Sequence, residues 1–286
     1  ARERGAGCEV DAAHGSLKFT LRAPVIVRAH GSWQPPPADG EPRDRGHQAS
    51  DLLGFKASFR NAALEDGLLP VLAFAGGYGG MVATSDGQVT LACCIRRDRL
   101  IACRREDDSG ARAGDAVEML LRRECRGVRR ALAQASRVGP WLAAGPIRPG
   151  VRLGGCHGGA FLIGNAAGEV HPIIGEGISM ALQSAWLLCG ELTGSADARR
   201  CDLRGEACRH GARQRYAALW RSSFSRRMRL AACFAHAAMR PGTAAPLLPL
   251  LRRAPGLLRL AARLSGKTSA LPVAAASLPG VIQGLP

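Results

Sequence analysis

Cysteine pairs at metal-ligand spacing are missing from this chain, although cysteine itself is not. Ten cysteines are spread over 286 residues, and none forms a C-x-x-C pair or sits with a histidine at ligand spacing. That argues against a metal site. Several, including Cys93, Cys94 and Cys189, fall in apolar runs, where cysteine behaves as a small hydrophobe. A reduced, cytoplasmic chain is therefore expected. Aromatic residues are also scarce: they make up 5% of the chain, only two are Tyr, and they do not interleave with basic residues. The net charge of +16 is scattered in arginine pairs such as Arg96-Arg97, Arg129-Arg130 and Arg226-Arg227. Without a basic block or stacking aromatics, no nucleic-acid partner is expected. No apolar run reaches the roughly 18 residues that a spanning helix needs. The start, Ala1 rather than Met, shows no basic segment leading into an apolar core, so it reads as internal and without a secretory leader.

What is present is a chain that is 47% hydrophobic and 22% charged, with 36 glycines and 17 prolines, long enough for one large domain or two smaller ones. Its densest signal lies between Phe161 and Leu188. Phe161-Leu162-Ile163 suits a buried strand, and Gly164-Asn165-Ala166-Ala167-Gly168 breaks it. Pro172 precedes a glycine pair, Gly175 and Gly177. From there Ile178, Ala181, Leu182, Ala185, Trp186 and Cys189 recur at helical spacing. A turn of small residues feeding a helix lets a ligand approach backbone N–H groups that have no partner.

This segment resembles the second FAD-binding motif of flavin-dependent monooxygenases and geranylgeranyl-reductase-like oxidoreductases. That family runs Gly-Asp-Ala-Ala-Gly, then Pro, then Gly-Glu-Gly-Ile and a helix, and the spacing is kept here. The resemblance implies FAD contacts from Gly164, Asn165, Ala166, Ala167, Gly168, Pro172, Gly175, Glu176, Gly177 and Ile178. Asn165 stands where the family has an Asp that binds the ribityl chain; it keeps the hydrogen bonding and loses the charge. A second family motif, Ala-Asp-Gly-Ser, is Ala29-His30-Gly31-Ser32 here. The resemblance also implies NAD(P)H as electron donor. Candidates for proton exchange are His171, whose ordinary pKa lies near neutral, Glu176 beside it, and Tyr78, which falls where relatives carry an aromatic-Pro motif facing substrate. The G-x-G-x-x-G fingerprint expected at the start of such an enzyme is absent, so the chain reads as N-terminally truncated or as a degenerate relative.

The expected fold is mixed α/β. Residues 1–34 and 151–200 would build an incomplete Rossmann-like FAD-binding domain, and 50–150 an antiparallel sheet that covers the substrate. Residues 201–265 would be helical. Alternating or apolar runs at Leu17–Leu21, Leu53–Phe59, Leu69–Phe74 and Val89–Ile95 read as strands, with Ser85-Asp86-Gly87 as a hairpin turn. Residues 115–136 read as a helix ended by Gly139-Pro140, and residues 35–51 as a linker. Arg148 and Arg152 read as surface residues or as groups approaching the flavin or an anionic substrate. Tyr216, Leu219, Trp220, Phe224, Met228 and Phe234 form an apolar stripe in a long helix. Leu247–Leu264 is basic and amphipathic, suited to covering a pocket or to peripheral membrane contact. The function expected is an FAD-dependent oxidoreductase, monooxygenase or reductase, for a small hydrophobic organic substrate. Two alternatives stand beside it: a non-catalytic remnant of the same fold, and an isoprenoid-type lipid reductase at the membrane surface.

Overall fold

The computed structural model describes residues 2–4, 7–14, 16–32, 46–106, 112–153, 159–193 and 202–243, with isolated positions up to 256. Most of the 35–51 linker, nearly all of Leu247–Leu264 and the tail from 265 lie outside the described residues.

The chain opens with an antiparallel meander of β1 (Arg2–Arg4), β2 (Gly7–His14) and β3 (Leu17–Ala23). Strand β4 (Val27–Arg28) follows directly. The next strands are β5 (Leu52–Arg60), β6 (Val71–Phe74), β7 (Gly77–Ala83) and β8 (Val89–Arg96). Helices α1 (Arg97–Glu106), α2 (Ala113–Glu124) and α3 (Arg126–Ala131) come after them. Strand β9 (Ser136–Ile147) then returns to complete a five-stranded antiparallel sheet in the order β6-β7-β8-β5-β9. The period-two pattern decides which face is buried. Phe55, Ala57 and Phe59 of β5 and Val89, Leu91, Cys93 and Ile95 of β8 point to one core. There they meet Val117, Leu120 and Leu121 of α2 and Val128 of α3. Asp86-Gly87 turns the β7–β8 hairpin, with Gly87 at φ +76° and the Thr84 N–H donating to the Gln88 carbonyl at 2.8 Å.

Two readings of this region need correction. The helix expected over 115–136 breaks at Cys125, whose extended backbone (φ −107°, ψ 102°) separates α2 from α3. Gly139-Pro140 does not end a helix but lies inside β9, a strand that pairs only with β5. An edge strand tolerates proline because one row of its N–H groups needs no partner.

The second half is smaller in strand and richer in helix. Strand β10 (Gly150–Val151) pairs antiparallel with β12 (Gly168–Glu169). Between them β11 (Phe161–Leu162) lies parallel to β4, with Phe161 opposite Val27 and Leu162 opposite Arg28. Helices α4 (Gly177–Thr193) and α5 (Glu206–Ala238) pack over this layer. Their core joins Phe161, Leu162 and Ala167 to Met180, Leu188, Tyr216, Trp220 and Phe224. A smaller cluster of Leu52, Tyr78, Cys94 and Ala235 ties the sheet to the end of α5, where the Gly76 N–H donates to the Met239 carbonyl at 2.9 Å.

On α4 the apolar stripe is not where a core would put it. Met180, Ser184, Leu188 and Glu191 face inward, while Ile178, Leu182 and Trp186 are exposed by 80%, 69% and 50%. On α5, Leu219 is likewise outside the stripe, and Phe234 is only half-buried. The thiols of Cys93, Cys94, Cys103, Cys125, Cys189 and Cys233 are free, but Cys208 is disulfide-bonded, which departs from the expected fully reduced chain. Among the described residues no helix is long and apolar enough to cross a membrane.

Removing the ring of Phe59, which is fully buried, is expected to cost about 3–5 kcal/mol. Leu182→Ala on the exposed face of α4 should change stability by less than about 0.5 kcal/mol. Urea denaturation of the two variants checks this, and equal losses would show that α4 has been assigned the wrong inward face.

Candidate functional site

Parallel pairing sets the first part of the site. The Phe161 N–H donates to the Ile26 carbonyl at 2.8 Å and the Ile163 N–H to the Arg28 carbonyl at 3.1 Å. Both strands therefore end together, and their following loops emerge side by side. These loops are the two family-like motifs, Ala29–Ser32 and Gly164–Gly168. Asn165 Nδ2 donates to Ser32 Oγ at 2.9 Å, and Ser32 Oγ donates to Glu169 Oε1 at 2.5 Å. Glu169, 3% exposed, also accepts from Arg152 at 2.7 Å and from the Arg148 N–H at 3.2 Å. Arg152 donates in addition to the Asn165 carbonyl at 3.0 Å. Arg148 grips buried Asp51 through two bonds of 2.7 and 2.9 Å, and that guanidinium holds the Asp51 carboxyl below the usual range. Both arginines are thus engaged in internal ion pairs.

Gly164 adopts a left-handed φ of +57°, and a Cβ there would stand 3.2 Å from that of Ala181 on α4. Its N–H donates to Ser184 Oγ at 3.0 Å. Ser184 in turn meets the Tyr216 hydroxyl at 2.9 Å, which donates to the Leu162 carbonyl at 2.8 Å. Ala166 and Ala167 are buried, while Gly168 has the Trp220 indole against it: a Cβ would lie 2.5 Å from Trp220 Cη2.

The second part begins at Pro172, which opens a single 3-10 turn to Ile174. Gly175 closes that turn at φ +65°, its N–H donating to the Pro172 carbonyl at 2.9 Å. Glu176 precedes α4 and its carbonyl accepts the Met180 N–H at 2.8 Å. The N–H groups of Gly177, Ile178 and Ser179 fall in the first turn, where no helical partner exists. A Cβ added at Gly175 or at Gly177 would meet nothing within 4 Å. Glu176 is only 4% exposed, yet its Oε2 has no hydrogen-bond partner, and neither has His30 Nδ1. Space in front of two glycines, unused N–H groups and an unpaired buried carboxyl oxygen on Glu176 are what a polar ligand would fill.

The third part comes from the sheet. The Tyr78 hydroxyl lies 3.3 Å from His171 Nδ1. Cys94 stands directly across from Tyr78 in the β7–β8 register. Burial, followed by the neighbouring His236, lowers the His171 pKa to about 4. Burial also pushes the Tyr78 phenol up, well beyond its usual range, and the Cys94 thiol up to about 11. His171 therefore does not titrate near neutrality, as its residue type suggested. At pH 7 Tyr78 and His171 are both neutral and share one hydrogen bond. Ser32 was legible as part of the Ala29–Ser32 motif, Tyr216 only as part of an apolar stripe and Cys94 only as part of an apolar strand; Glu169, Asp51, Ser184 and His236 carried no local signal. Among the described residues no cluster could hold a metal ion.

No protein-family model and no curated protein matches the sequence. Solved structures do. A flavin-dependent brominase superposes with a TM-score of 0.61 at 13% identity, over 91% of this chain and 64% of its own. A geranylgeranyl bacteriochlorophyll reductase-like protein from Thermoplasma acidophilum gives 0.55 at 15% identity, over 79% of this chain and 53% of its own. A myxobacterial chondrochloren halogenase, described as a variant of FAD-dependent halogenases, gives 0.52 at 20% identity over 73% and 47%. The fold is that of the FAD-dependent oxidoreductases. The chain spans less than two thirds of the length of each of these proteins.

In this flavoenzyme fold Asn165 has a defined donor role. The Ser32 proton is already given to Glu169, so Asn165→Asp would set a carboxylate against an oxygen with no proton left to offer. A loss of about 1–3 kcal/mol is expected. Urea midpoints measure it, and an unchanged midpoint would show that the Asn165–Ser32–Glu169 chain is not formed.

His171 supplies a pH test. Its folded pKa of about 4 lies below the ordinary histidine value of 6.5, so between these values the unfolded chain binds the extra proton. The contribution is complete above pH 6.5, is lost as pH falls towards 4, and amounts to at most about 3 kcal/mol. His171→Gln should flatten the stability profile in that window. If wild type and variant fall in parallel between pH 6.5 and 4, His171 is not buried as neutral.

Proposed function

We propose that this chain is the ligand-facing part of an FAD-dependent oxidoreductase that acts on a hydrophobic organic substrate, with NAD(P)H as the electron source. The observation that carries the reading is the start of α4: open space before Gly175 and Gly177, with Glu176 between them buried and its Oε2 without a hydrogen-bond partner. FAD would supply the redox chemistry. The backbone of Gly164–Gly168 and of Gly175–Ile178 would hold it, with Ser32 and Asn165 at its polar chain. The N-terminal end of the 17-residue α4 presents positive potential there, which favours negative charge developing on a bound group.

His171 and Tyr78 join this loop to the sheet. As a neutral pair they keep one proton between them and add no charge to the cavity side of the sheet. The sheet face opposite α1–α3 carries Gly54, Ala73, Gly80 and Ala92 together with Lys56, Ser58 and Thr90, and Leu142 on the edge strand. Its small apolar residues would accommodate a hydrophobic substrate, with Lys56 as the one charged group among them. Whether a substrate is oxygenated, halogenated or reduced is a matter of residues that meet it, and Tyr78, His171 and Glu176 are the proposed proton-handling groups.

Gly177 gives the sharpest test. Its backbone is ordinary and its Cβ direction is open, so Gly177→Leu leaves the free protein intact and fills the space meant for the ligand. FAD should raise the melting temperature of the wild-type chain, by the equivalent of about 2.7 kcal/mol at one hundred times Kd. The variant should show no rise. Equal rises in both, or none in either at saturating FAD, would overturn the assignment of this site and favour a non-catalytic remnant of the fold.

A further inference from the structure

An antiparallel sheet with one solvated face turns apolar residues inward and polar residues to water. The five-stranded sheet departs from this. Its inward face is the core beneath α1–α3. On the opposite face the strand registers line up in rows. One row is Ala73, Tyr78, Cys94 and Gly54, ending at Ala144 on β9. The next is Val71, Gly80, Ala92 and Lys56, ending at Leu142. The first row is covered at Tyr78 and Cys94, where Ala235, Ile173 and Met239 pack. The second is open: Val71 is exposed by 63% and Leu142 by 61%, and Ala92 and Lys56 are exposed as well. A strip of Val, Gly, Ala and Leu therefore faces water with one cation set in it.

That cation is unmatched. Among the described residues Lys56 makes no hydrogen bond and pairs with no carboxylate. The polar pair in the row beyond, Ser58 and Thr90, is satisfied internally, with the two hydroxyls 3.4 Å apart. Arginines elsewhere are matched, as Arg99 is by Glu106 and Glu124. We propose that the Val71–Leu142 row is the substrate platform and that Lys56 selects a substrate with a hydrophobic body and one acidic group, a carboxylate in the simplest case. The apolar row takes the body, and the ammonium takes the acid in a charge-assisted hydrogen bond. Lys56 stands one two-residue step, about 7 Å, along the strands from the Tyr78 row, and two strand spacings, about 10 Å, across from Tyr78. A body of one or two rings held at Lys56 by its acid reaches the edge of the cover over Tyr78 and His171. Lysine suits this task, since its compact charge rides on a flexible stem and does not impose the planar fork of a guanidinium. The substrate role rests on the flavin reading above; the preference for an acid does not.

Only three of the 39 basic residues are lysines, Lys18, Lys56 and Lys267, so a lysine label resolves them individually. The full chain is dimethylated with isotope-labelled formaldehyde, which keeps the charge, and Lys56→Arg identifies the Lys56 resonance. Without FAD, para-phenylbenzoate should shift that resonance saturably and leave those of Lys18 and Lys267 in place. The neutral para-phenylbenzamide should bind roughly tenfold more weakly. Lys56→Gln should erase the difference between acid and amide, and Ala92→Leu, at an exposed position in the same row, should weaken both. Equal binding of acid and amide to the wild type would overturn the proposal. So would a preference for the acid that survives Lys56→Gln, unchanged binding in Ala92→Leu, or equal shifts at all three lysines. Absence of the acid preference in a chain that FAD stabilises strikes this inference alone. The acid preference in a chain that FAD does not stabilise strikes the flavin reading alone.

Discussion

The buried carboxylate of Glu169 is the constraint on which the rest of the site depends. A carboxylate at 3% exposure must be neutralised and hydrogen-bonded to be tolerated. Four groups do this: the Ser32 hydroxyl, the Arg152 guanidinium, the Arg148 N–H, and Asn165 acting through Ser32. They come from three distant stretches of the chain. Glu169 therefore fixes the loop after β4, the loop after β11 and the return from β9 into β10 in one arrangement. Arg148 extends the network to Asp51 at the start of β5, so the sheet is oriented by the same charges.

Where the sheet meets the helices, neutral chemistry takes over from ion pairing. Tyr78, Cys94 and His171 are all buried and all held in their uncharged forms at pH 7, with Leu52 and Ala235 packed around them. A charged joint at this position would need its own counter-ions in a region already supplied by Glu169 and its arginines. The overall charge of +16 does not bear on this joint; several of the sequence's arginines are matched locally, such as Arg99 with Glu106 and Glu124, and Arg215 with Glu191.

What could be read from the sequence follows the range of the forces involved. Alternation in β5 and β8 and the Asp86-Gly87 turn are local, and so they were visible. The glycine loop and its helix were visible for the same reason, since a left-handed φ at Gly164 and Gly175 is a local demand. Pro140 misled because its cost depends on whether a strand is an edge, which is decided by sheet order and not by neighbours in sequence. The stripe on α4 was legible as a stripe, but periodicity cannot say whether a partner is present to cover it. Asp51 and Arg148 are 97 positions apart, and the Asn165–Ser32 contact spans 133. Pairings of that range leave no trace in composition or spacing.

Within the motif the glycines are held from opposite sides. At Gly175 and Gly177 the room for a side chain is there and unfilled, so the absence of one keeps a space in front of the loop. At Gly168 the Trp220 ring stands 2.5 Å from where a Cβ would be, so the absence of one keeps α5 in contact behind the loop. One run of small residues therefore records two different neighbours. A side chain at Gly177 would occupy the space in front of the loop and leave the fold in place; one at Gly168 would part strand from helix.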